Sequence, residues 1–239
     1  MRGSILKTAA ATAAFAIVHS AFATERSKAT AARWLGVRRS NGWYRLFYNA
    51  QAVVTFAALL AFVGAQPART LYRVRGPLAG LMRLAQLGCL AYAGAAVLRV
   101  GIGPFSGFSS LFAWLTGRAI VPPAPEAQGP PVDDAGAVRP AGPFALSRQP
   151  LNFVLLPMLW LNPRMTDVLA SFNVVTTAYA YLGSLHSERR LRRAYGDAYE
   201  RYRASGVPFF VPRPGRVVHH RTPGRDVRLA AAPAEVGHA

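Results

Sequence analysis

Two short polar stretches flank a pair of apolar segments in the C-terminal third of the chain. The first contains Arg148, Gln149 and Asn152, and the second contains His186 and Glu188. Two consecutive membrane spans return a chain to the side from which it entered, so both stretches should lie on one membrane face. Guanidinium, amide and carboxylate groups hold polar ligands through charge-assisted hydrogen bonds. We therefore predict a polar pocket at the mouth of a helical hairpin.

The charged residues of this pocket also have plain structural interpretations. Arg148 lies at the end of an apolar segment, where a basic side chain often serves only as an interfacial anchor. Glu188 is an isolated acid at the start of an arginine-rich stretch, so it could pair with Arg192 one helical turn further on. Such a surface pair contributes only about 0.3–0.5 kcal/mol. Composition alone favours the ion pair for Glu188.

Five apolar runs carry these polar stretches, and they cover residues 4–23, 46–65, 78–100, 151–161 and 167–185. Runs of about 20 apolar residues with few charges predict transmembrane helices. The fourth run is short and ends at Asn162-Pro163, which indicates a kinked or incompletely crossing arm of the hairpin. We predict an all-α, polytopic membrane protein of about five transmembrane helices that ends in a helical hairpin and an interfacial amphipathic helix.

The first apolar run has two interpretations. Arg2, Lys7 and the Ala21-Phe22-Ala23 sequence are typical of a cleaved secretory signal. The strongly basic stretch 24–45 that follows favours a retained helix, because it outweighs the N-terminal charge. We expect a retained helix, and we expect His19 near its end to face the neighbouring helices.

Residues 186–203 have the pattern of an amphipathic helix. One helical face carries Leu191 and a row of tyrosines, and many arginines lie on the opposite face. Such a helix lies on the membrane surface and binds anionic lipid head groups. Gly196 falls inside it and should weaken it by about 1 kcal/mol relative to alanine.

The composition limits the class of protein. The 239 residues are 52% hydrophobic and carry a formal charge of +18. Positive-inside topology explains this charge better than nucleic-acid binding, because the apolar runs need a bilayer. Cys89 is the single cysteine and excludes an intrachain disulfide, and the five histidines show no metal-ligand spacing. We expect the lipid bilayer as a partner, no nucleic acid and no metal.

Proline and charge divide the chain into four parts. Residues 1–117 form the N-terminal transmembrane part, and 118–143 form a Pro-rich flexible loop. Residues 144–212 contain the polar pocket, and 213–239 form a disordered tail. Basic residues are concentrated in 24–45, 101–149 and the tail, which predicts that these parts and the C-terminus are cytoplasmic, although Arg69, Arg73 and Arg75 oppose this orientation.

Residues 148–212 resemble the integral-membrane methyltransferases: isoprenylcysteine carboxyl methyltransferase, phospholipid methyltransferase and the NnrU-like proteins. These families share an Arg-His-Pro corner, a Glu-Glu-x-x-Leu stretch, a Gly-x-x-Tyr-x-x-Tyr run and a Val-Pro ending. This chain has Gln149 in place of the histidine and keeps only the second glutamate. The matching residues are Arg148, Pro150, Glu188, Leu191, Gly196, Tyr199, Tyr202, Val207, Pro208 and Pro212.

The resemblance implies an S-adenosylmethionine-dependent enzyme of a bacterial inner (plasma) membrane. Its methyl acceptor would be lipophilic or small and membrane-permeant, such as an isoprenylcysteine, a phospholipid or a thiol. No catalytic residue is predicted, because glutamine cannot act as the base that histidine could be. The alternative is a non-enzymatic NnrU-like accessory protein for assembly or transport. The resemblance implies cofactor binding by Arg148, Gln149, Pro150, Asn152, His186, Glu188 and Tyr199.

Overall fold

The computed structural model describes residues 2–118, 129–130, 132–133, 136–138 and 140–213. Its elements follow in chain order. They are α1 (Arg2–Ala23), α2 (Glu25–Leu35), α3 (Val37–Gly64), β1 (Thr70–Arg73), α4 (Gly76–Val100), α5 (Ile102–Ser106), α6 (Phe108–Leu115), α7 (Pro143–Leu146), α8 (Pro150–Phe153), α9 (Leu155–Trp160), β2 (Arg164–Thr166), α10 (Asp167–Tyr195) and α11 (Asp197–Ala204).

The protein is an all-α polytopic membrane protein, as its sequence predicts. Within the described residues, four helices are long and apolar enough to cross a bilayer: α1, α3, α4 and α10. Their lipid-facing surface is rich in exposed leucine, as at Leu84, Leu87 and Leu90 of α4. A bilayer solvates such a surface, so these helices need little burial within the protein.

A two-stranded sheet marks one end of the bundle. β1 pairs with β2 in antiparallel register, and Thr70 lies opposite Thr166. β1 joins α3 to α4 and β2 joins α9 to α10, so four helix ends meet at this end of the bundle. We call it the strand end. Helix α1 runs parallel to α10, because Ser171 Oγ donates to the Ile5 carbonyl and Arg190 Nη1 donates to the Ala23 carbonyl. We call the opposite end of the bundle the arginine end. There α10 finishes in Arg189, Arg190, Arg192 and Arg193.

The first arm of the C-terminal hairpin consists of two short helices. α8 ends at Phe153 and α9 begins at Leu155, with Val154 between them. Pro157 has no N–H to donate to the Phe153 carbonyl, which favours the break at this point. The four residues of α8 and the six of α9 rise only about 15 Å, so the chain through Asn162 and Pro163 completes the passage to the strand end. The kinked first arm that the sequence indicates is therefore present.

Residues 186–203 do not form the separate helix that the sequence predicts. α10 continues without interruption to Tyr195, and α11 begins only after Gly196. Gly196 has φ +52° and ψ −130°, a conformation that side chains strongly disfavour. The interpretation of Gly196 as a weak point inside a helix is therefore wrong, because this glycine makes the turn between two helices.

An apolar cluster of buried residues lies at the arginine end. Leu191, Tyr199, Tyr202 and Val207 are almost fully buried there, next to Ala198. The glycine-rich segment 101–117 forms the two short helices α5 and α6. Most of the Pro-rich loop 118–143 and the tail from residue 214 lie outside the described residues, and the predictions for them stay predictions.

Candidate functional site

The structure brings the two ends of the hairpin together at the arginine end. Arg148 Nη2 lies 2.9 Å from Glu188 Oε1, and their side chains are only 13% and 11% exposed. Arg148 lies two residues before the start of the first arm, whereas Glu188 lies in the last third of α10. The intervening chain, residues 149–187, crosses to the strand end and returns. Arg148 and Glu188 therefore approach each other as predicted, but they contact each other directly in an ion pair.

The segment after α11 holds Arg148 in place. Arg148 Nη1 donates to the Val207 carbonyl at 2.7 Å, and the Arg148 backbone N–H donates to the Pro208 carbonyl. The guanidinium also lies 5.7 Å from the centre of the Phe209 ring. Next to it, Ser147 Oγ donates to the Phe210 carbonyl. The Val-Pro motif therefore supplies backbone oxygens to the arginine corner.

Glu188 forms ion pairs with two arginines and accepts one hydrogen bond from a tyrosine. Besides Arg148, the Arg203 Nε lies 3.2 Å from its Oε1, and the Tyr199 hydroxyl donates to its Oε2 at 3.0 Å. The ion pair between Glu188 and Arg192 that composition favours is not formed, because Arg192 pairs with Glu200 at 2.6 Å. The turn at Gly196 explains this choice, since it folds α11 back against the end of α10.

Two tyrosines of this cluster are fixed in their protonated form. Burial, followed by the nearby charge of Glu188, raises the pKa of Tyr199 above its ordinary value. Burial likewise raises the pKa of Tyr202, whose hydroxyl donates to the Phe144 carbonyl at 2.6 Å. Both phenols therefore act as hydrogen-bond donors at neutral pH, and Tyr199 helps to stabilise a buried carboxylate.

Gln149 leaves one polar group of the corner without a partner. Its side chain is buried, and its Oε1 accepts from Asn152 Nδ2 at a long 3.4 Å. Its Nε2 is buried and has no hydrogen-bond partner. An unpaired buried donor of this kind costs about 1–3 kcal/mol, so a bound acceptor at this point would stabilise the corner.

Asn152 connects the corner to a cavity of about 310 Å³ between α1, α3, α9 and α10. Its Nδ2 donates to Ser184 Oγ at 2.9 Å, and Asn152 also lines the cavity. Ser187 and His186 line it as well, whereas Arg148, Gln149 and Glu188 do not. We call the side of α10 that faces Arg148, Gln149, Tyr199 and Arg203 and that carries Glu188 the cluster side. We call the side that faces the cavity the cavity side.

The predicted site residues therefore divide between two sides of α10. Arg148, Gln149, Glu188 and Tyr199 share the cluster side, and Pro150 is buried at the start of α8 beside them. His186 lies on the cavity side. It is two positions before Glu188, and residues two positions apart in a helix point in directions that differ by about 200°. Asn152 touches both sides.

Several residues of the site were not predicted from the sequence. Arg203 and Ser184 contact predicted residues directly, and the Val207 carbonyl binds Arg148. The tyrosine run and the Val-Pro pair were part of the resemblance, but the return of residues 196–208 to the corner was not predicted from them. No sequence signal distinguished Arg203 from the other arginines of α10 and α11.

His19 faces neighbouring helices, as the sequence suggests. Its Nε2 lies 2.7 Å from the Tyr48 hydroxyl, and its ring stacks on Phe15 at 5.6 Å between centroids. Asn49, one residue further along α3, donates to the Phe105 and Ser106 carbonyls and so ties α3 to α5.

Comparison of the chain with protein-family models, with curated proteins and with solved structures finds no match.

Proposed function

We propose that this membrane protein is an S-adenosylmethionine-dependent methyltransferase acting on a lipophilic or small membrane-permeant acceptor. The observation that carries the proposal is the buried corner at the hairpin mouth. There Arg148 and Arg203 face one carboxylate, Glu188, and the Gln149 side chain has an unpaired donor. The order Arg-x-Pro, Glu-x-x-Leu, Gly-x-x-Tyr-x-x-Tyr and Val-Pro resembles that of the integral-membrane methyltransferases.

The residues of this corner fit the cofactor. Arg148, Arg203 and Arg192 share the two glutamates Glu188 and Glu200, so this connected set carries one more positive than negative charge, which suits the cofactor's carboxylate. Arg148 and the unpaired Nε2 of Gln149 would hold that carboxylate, while Glu188 would accept from the ammonium or a ribose hydroxyl. The cofactor supplies a methyl group on a sulfonium when bound.

The protein would contribute orientation and exclusion of water. Alignment of the acceptor with the methyl group dominates the rate of such a displacement. Glu188 is only 11% exposed at its side chain, so the corner is largely shielded from solvent. The cavity that Asn152 and Ser187 line gives a lipophilic acceptor space within the membrane next to the corner.

Titration of the purified protein in detergent with S-adenosylhomocysteine tests the cofactor site. We expect saturable binding that Glu188→Ala abolishes and Gln149→Leu weakens about tenfold, which corresponds to one hydrogen bond of about 1.4 kcal/mol. Gln149→His, which restores the motif of the families, should retain binding. Glu200→Gln is the matched control, because Glu200 pairs with Arg203 but does not contact Arg148. Absence of binding in the wild type, or unchanged binding in Glu188→Ala, would contradict the proposal.

The second candidate is a non-enzymatic membrane accessory protein for assembly or transport. One observation favours it: Arg148 is already engaged by Glu188 and by the Val207 carbonyl. In that case the cluster only fastens residues 207–210 to the hairpin. Failure of S-adenosylhomocysteine to bind to a well-folded wild type would favour this candidate.

We further propose that the arginine end is cytoplasmic and the membrane is a bacterial inner membrane. The arginine end carries Arg38, Arg39 and the arginines of α10 and α11, which also suit anionic lipid head groups. A Cys89→Ser background with Ala204→Cys or Ala68→Cys provides one label at each end. An impermeant maleimide should label Ala204→Cys only from the cytoplasmic side; labelling only from the opposite side would overturn the orientation.

A further inference from the structure

The two-stranded sheet at the strand end places two arginines directly opposite each other. Arg73 and Arg164 are paired residues in the antiparallel register of β1 and β2, and both are exposed. Met165, the next residue of β2, is only 2% exposed and lies on the other face of the sheet, which packs against the protein. Arg73 and Arg164 therefore share the outward face, where directly opposed residues have Cβ atoms about 4.5–5.5 Å apart.

No acid next to the sheet neutralises this pair. Residues 67–75 and 163–168 contain four arginines and a single acid, Asp167. Asp167 Oδ1 accepts from the backbone N–H groups of Arg69 and Val168, and among the described residues Asp167 forms no ion pair with an arginine. Like charges directly opposite each other in a sheet are destabilising. An anion bound between the two guanidinium groups would remove this repulsion.

The sheet lies where a bilayer places its head groups. β1 joins α3 to α4 and β2 leads into α10, and all three helices are long and apolar enough to cross a membrane. Within β1, Leu71 and Tyr72 are 55% and 40% exposed beside Arg73. Aliphatic, aromatic and basic side chains together are typical of the membrane–water interface. The anion nearest to the outward face of the sheet is therefore the phosphate of a phospholipid.

We propose that Arg73 and Arg164 bind the phosphate of one anionic glycerophospholipid in the leaflet at the strand end. Guanidinium groups donate paired hydrogen bonds to phosphate oxygens. Arg69 and Arg75, on either side of β1, add positive charge, which favours a head group without an ammonium. The site gives a role to arginines that oppose the predicted orientation of the chain. It depends neither on methyl transfer nor on which end is cytoplasmic.

Quenching of a fluorophore beside the sheet by nitroxide-labelled lipid tests the site. The fluorophore is attached to Ala68→Cys in a Cys89→Ser background, and the full-length protein is placed in nanodiscs. The lipids are phosphatidylglycerol and phosphatidylcholine with the same labelled chains, and the fraction of each lipid that gives half-maximal quenching measures its local affinity. We expect phosphatidylglycerol to bind at least tenfold more tightly. Equal quenching by the two lipids would overturn the inference.

Two double variants separate a built site from general positive charge. Arg73→Gln with Arg164→Gln should lower the preference for phosphatidylglycerol at least fivefold, a ratio that corresponds to about 1 kcal/mol. Arg69→Gln with Arg75→Gln is the matched control, because it removes the same charge beside the sheet but keeps the opposed pair. It should lower the preference at most about twofold. Equal losses in the two double variants would contradict the site.

Stability in neutral detergent gives an independent readout. The opposed arginines repel each other when no phosphate lies between them, so Arg73→Gln should leave the unfolding midpoint unchanged or raise it. Phosphatidylglycerol added to the micelles should then raise the midpoint of the wild type more than that of Arg73→Gln. A lower midpoint for Arg73→Gln in neutral detergent, with an unchanged response to phosphatidylglycerol, would show that Arg73 supports the fold and would overturn the inference.

Discussion

The two sides of α10 differ in how their polar groups are held. On the cluster side, Glu188 is held by ion pairs with Arg148 and Arg203 and by a hydrogen bond from Tyr199. On the cavity side, the polar atoms of His19 and Thr176 are buried without partners. A network of ion pairs fixes structure, whereas unpartnered groups beside a cavity are suited to a ligand. Four buried atoms of the cluster side also lack hydrogen-bond partners: Arg148 Nε, Gln149 Nε2, Glu188 Oε1 and Arg203 Nε. Of these, the Gln149 donor is where the proposed cofactor would enter the network.

The largest expected effect comes from removing the central charge of the cluster. Glu188→Gln keeps the shape of the side chain but leaves Arg148 without a counter-charge, whereas Arg203 keeps Glu200. Loss of one partner of a buried ion pair typically costs about 3–5 kcal/mol, and the partial exposure of Arg203 favours the lower value. Denaturant unfolding in mixed micelles measures the change. The exposed control Glu200→Gln should have a much smaller effect, and equal losses would show that the cluster is not a stabilising unit.

Removing the tyrosine donor should have the next largest effect. Tyr199→Phe deletes a hydrogen bond to a buried carboxylate, which is worth about 1.5–3 kcal/mol. Tyr202→Phe deletes a bond to a neutral carbonyl and should cost about 0.5–1.5 kcal/mol. The same unfolding measurement compares them. A larger loss in Tyr202→Phe would contradict the assignment of Glu188 as an ionised centre.

The turn that brings α11 to the cluster depends on glycine. Gly196→Ala should destabilise the protein by about 1–2 kcal/mol, because φ +52° with ψ −130° strains an alanine even though space is available. Gly80→Ala in α4 is the control; its Cβ also meets open space, and its backbone is helical. It should be neutral or slightly stabilising. Equal losses of stability in the two variants would contradict the claim that the backbone conformation of Gly196 requires glycine.

The smallest expected effect is a dependence on pH. Hydrogen bonds from Arg192 and then Arg203 lower the pKa of Glu200 below its ordinary value of 4.5 in the folded protein. Its contribution to stability is therefore present above pH 4.5 and is lost as the pH falls through the lowered pKa. The stability difference between wild type and Glu200→Gln should shrink over that range. A difference that grows on acidification would contradict the sign of the shift.

The sequence predicted the fold and the approach of Arg148 to Glu188 for a simple reason. Two consecutive apolar runs that cross the membrane in opposite directions bring the chain back to the side from which it started. The approach of Arg148 to Glu188 therefore follows from the number of crossings alone. The partners of Glu188 depended on a local backbone conformation at Gly196, which hydrophobic periodicity does not encode. Periodicity treated residues 186–203 as one helix and therefore favoured Arg192. The placement of Arg203 follows only once the turn is known.

Grouping by chain position also misplaced His186. It lies two residues from Glu188, and both were expected in one pocket because they close the same hairpin. Their directions on α10 differ by about 200°, so the helix places His186 on the cavity side. The unpaired groups of His19 and Thr176 could not be recognised from the sequence, because their isolation depends on the packing of α1 against α10.

Transfer of a radiolabelled methyl group tests the central proposal most directly. The purified protein, reconstituted with a bacterial lipid extract, is incubated with labelled S-adenosylmethionine, and the organic phase is then counted. We expect label in a lipophilic product for the wild type and Glu200→Gln, and none for Glu188→Ala. Two results would contradict the assignment of this corner to methyl transfer. One is label at background level in the wild type together with no binding of S-adenosylhomocysteine. The other is equal label in the wild type and in folded Glu188→Ala.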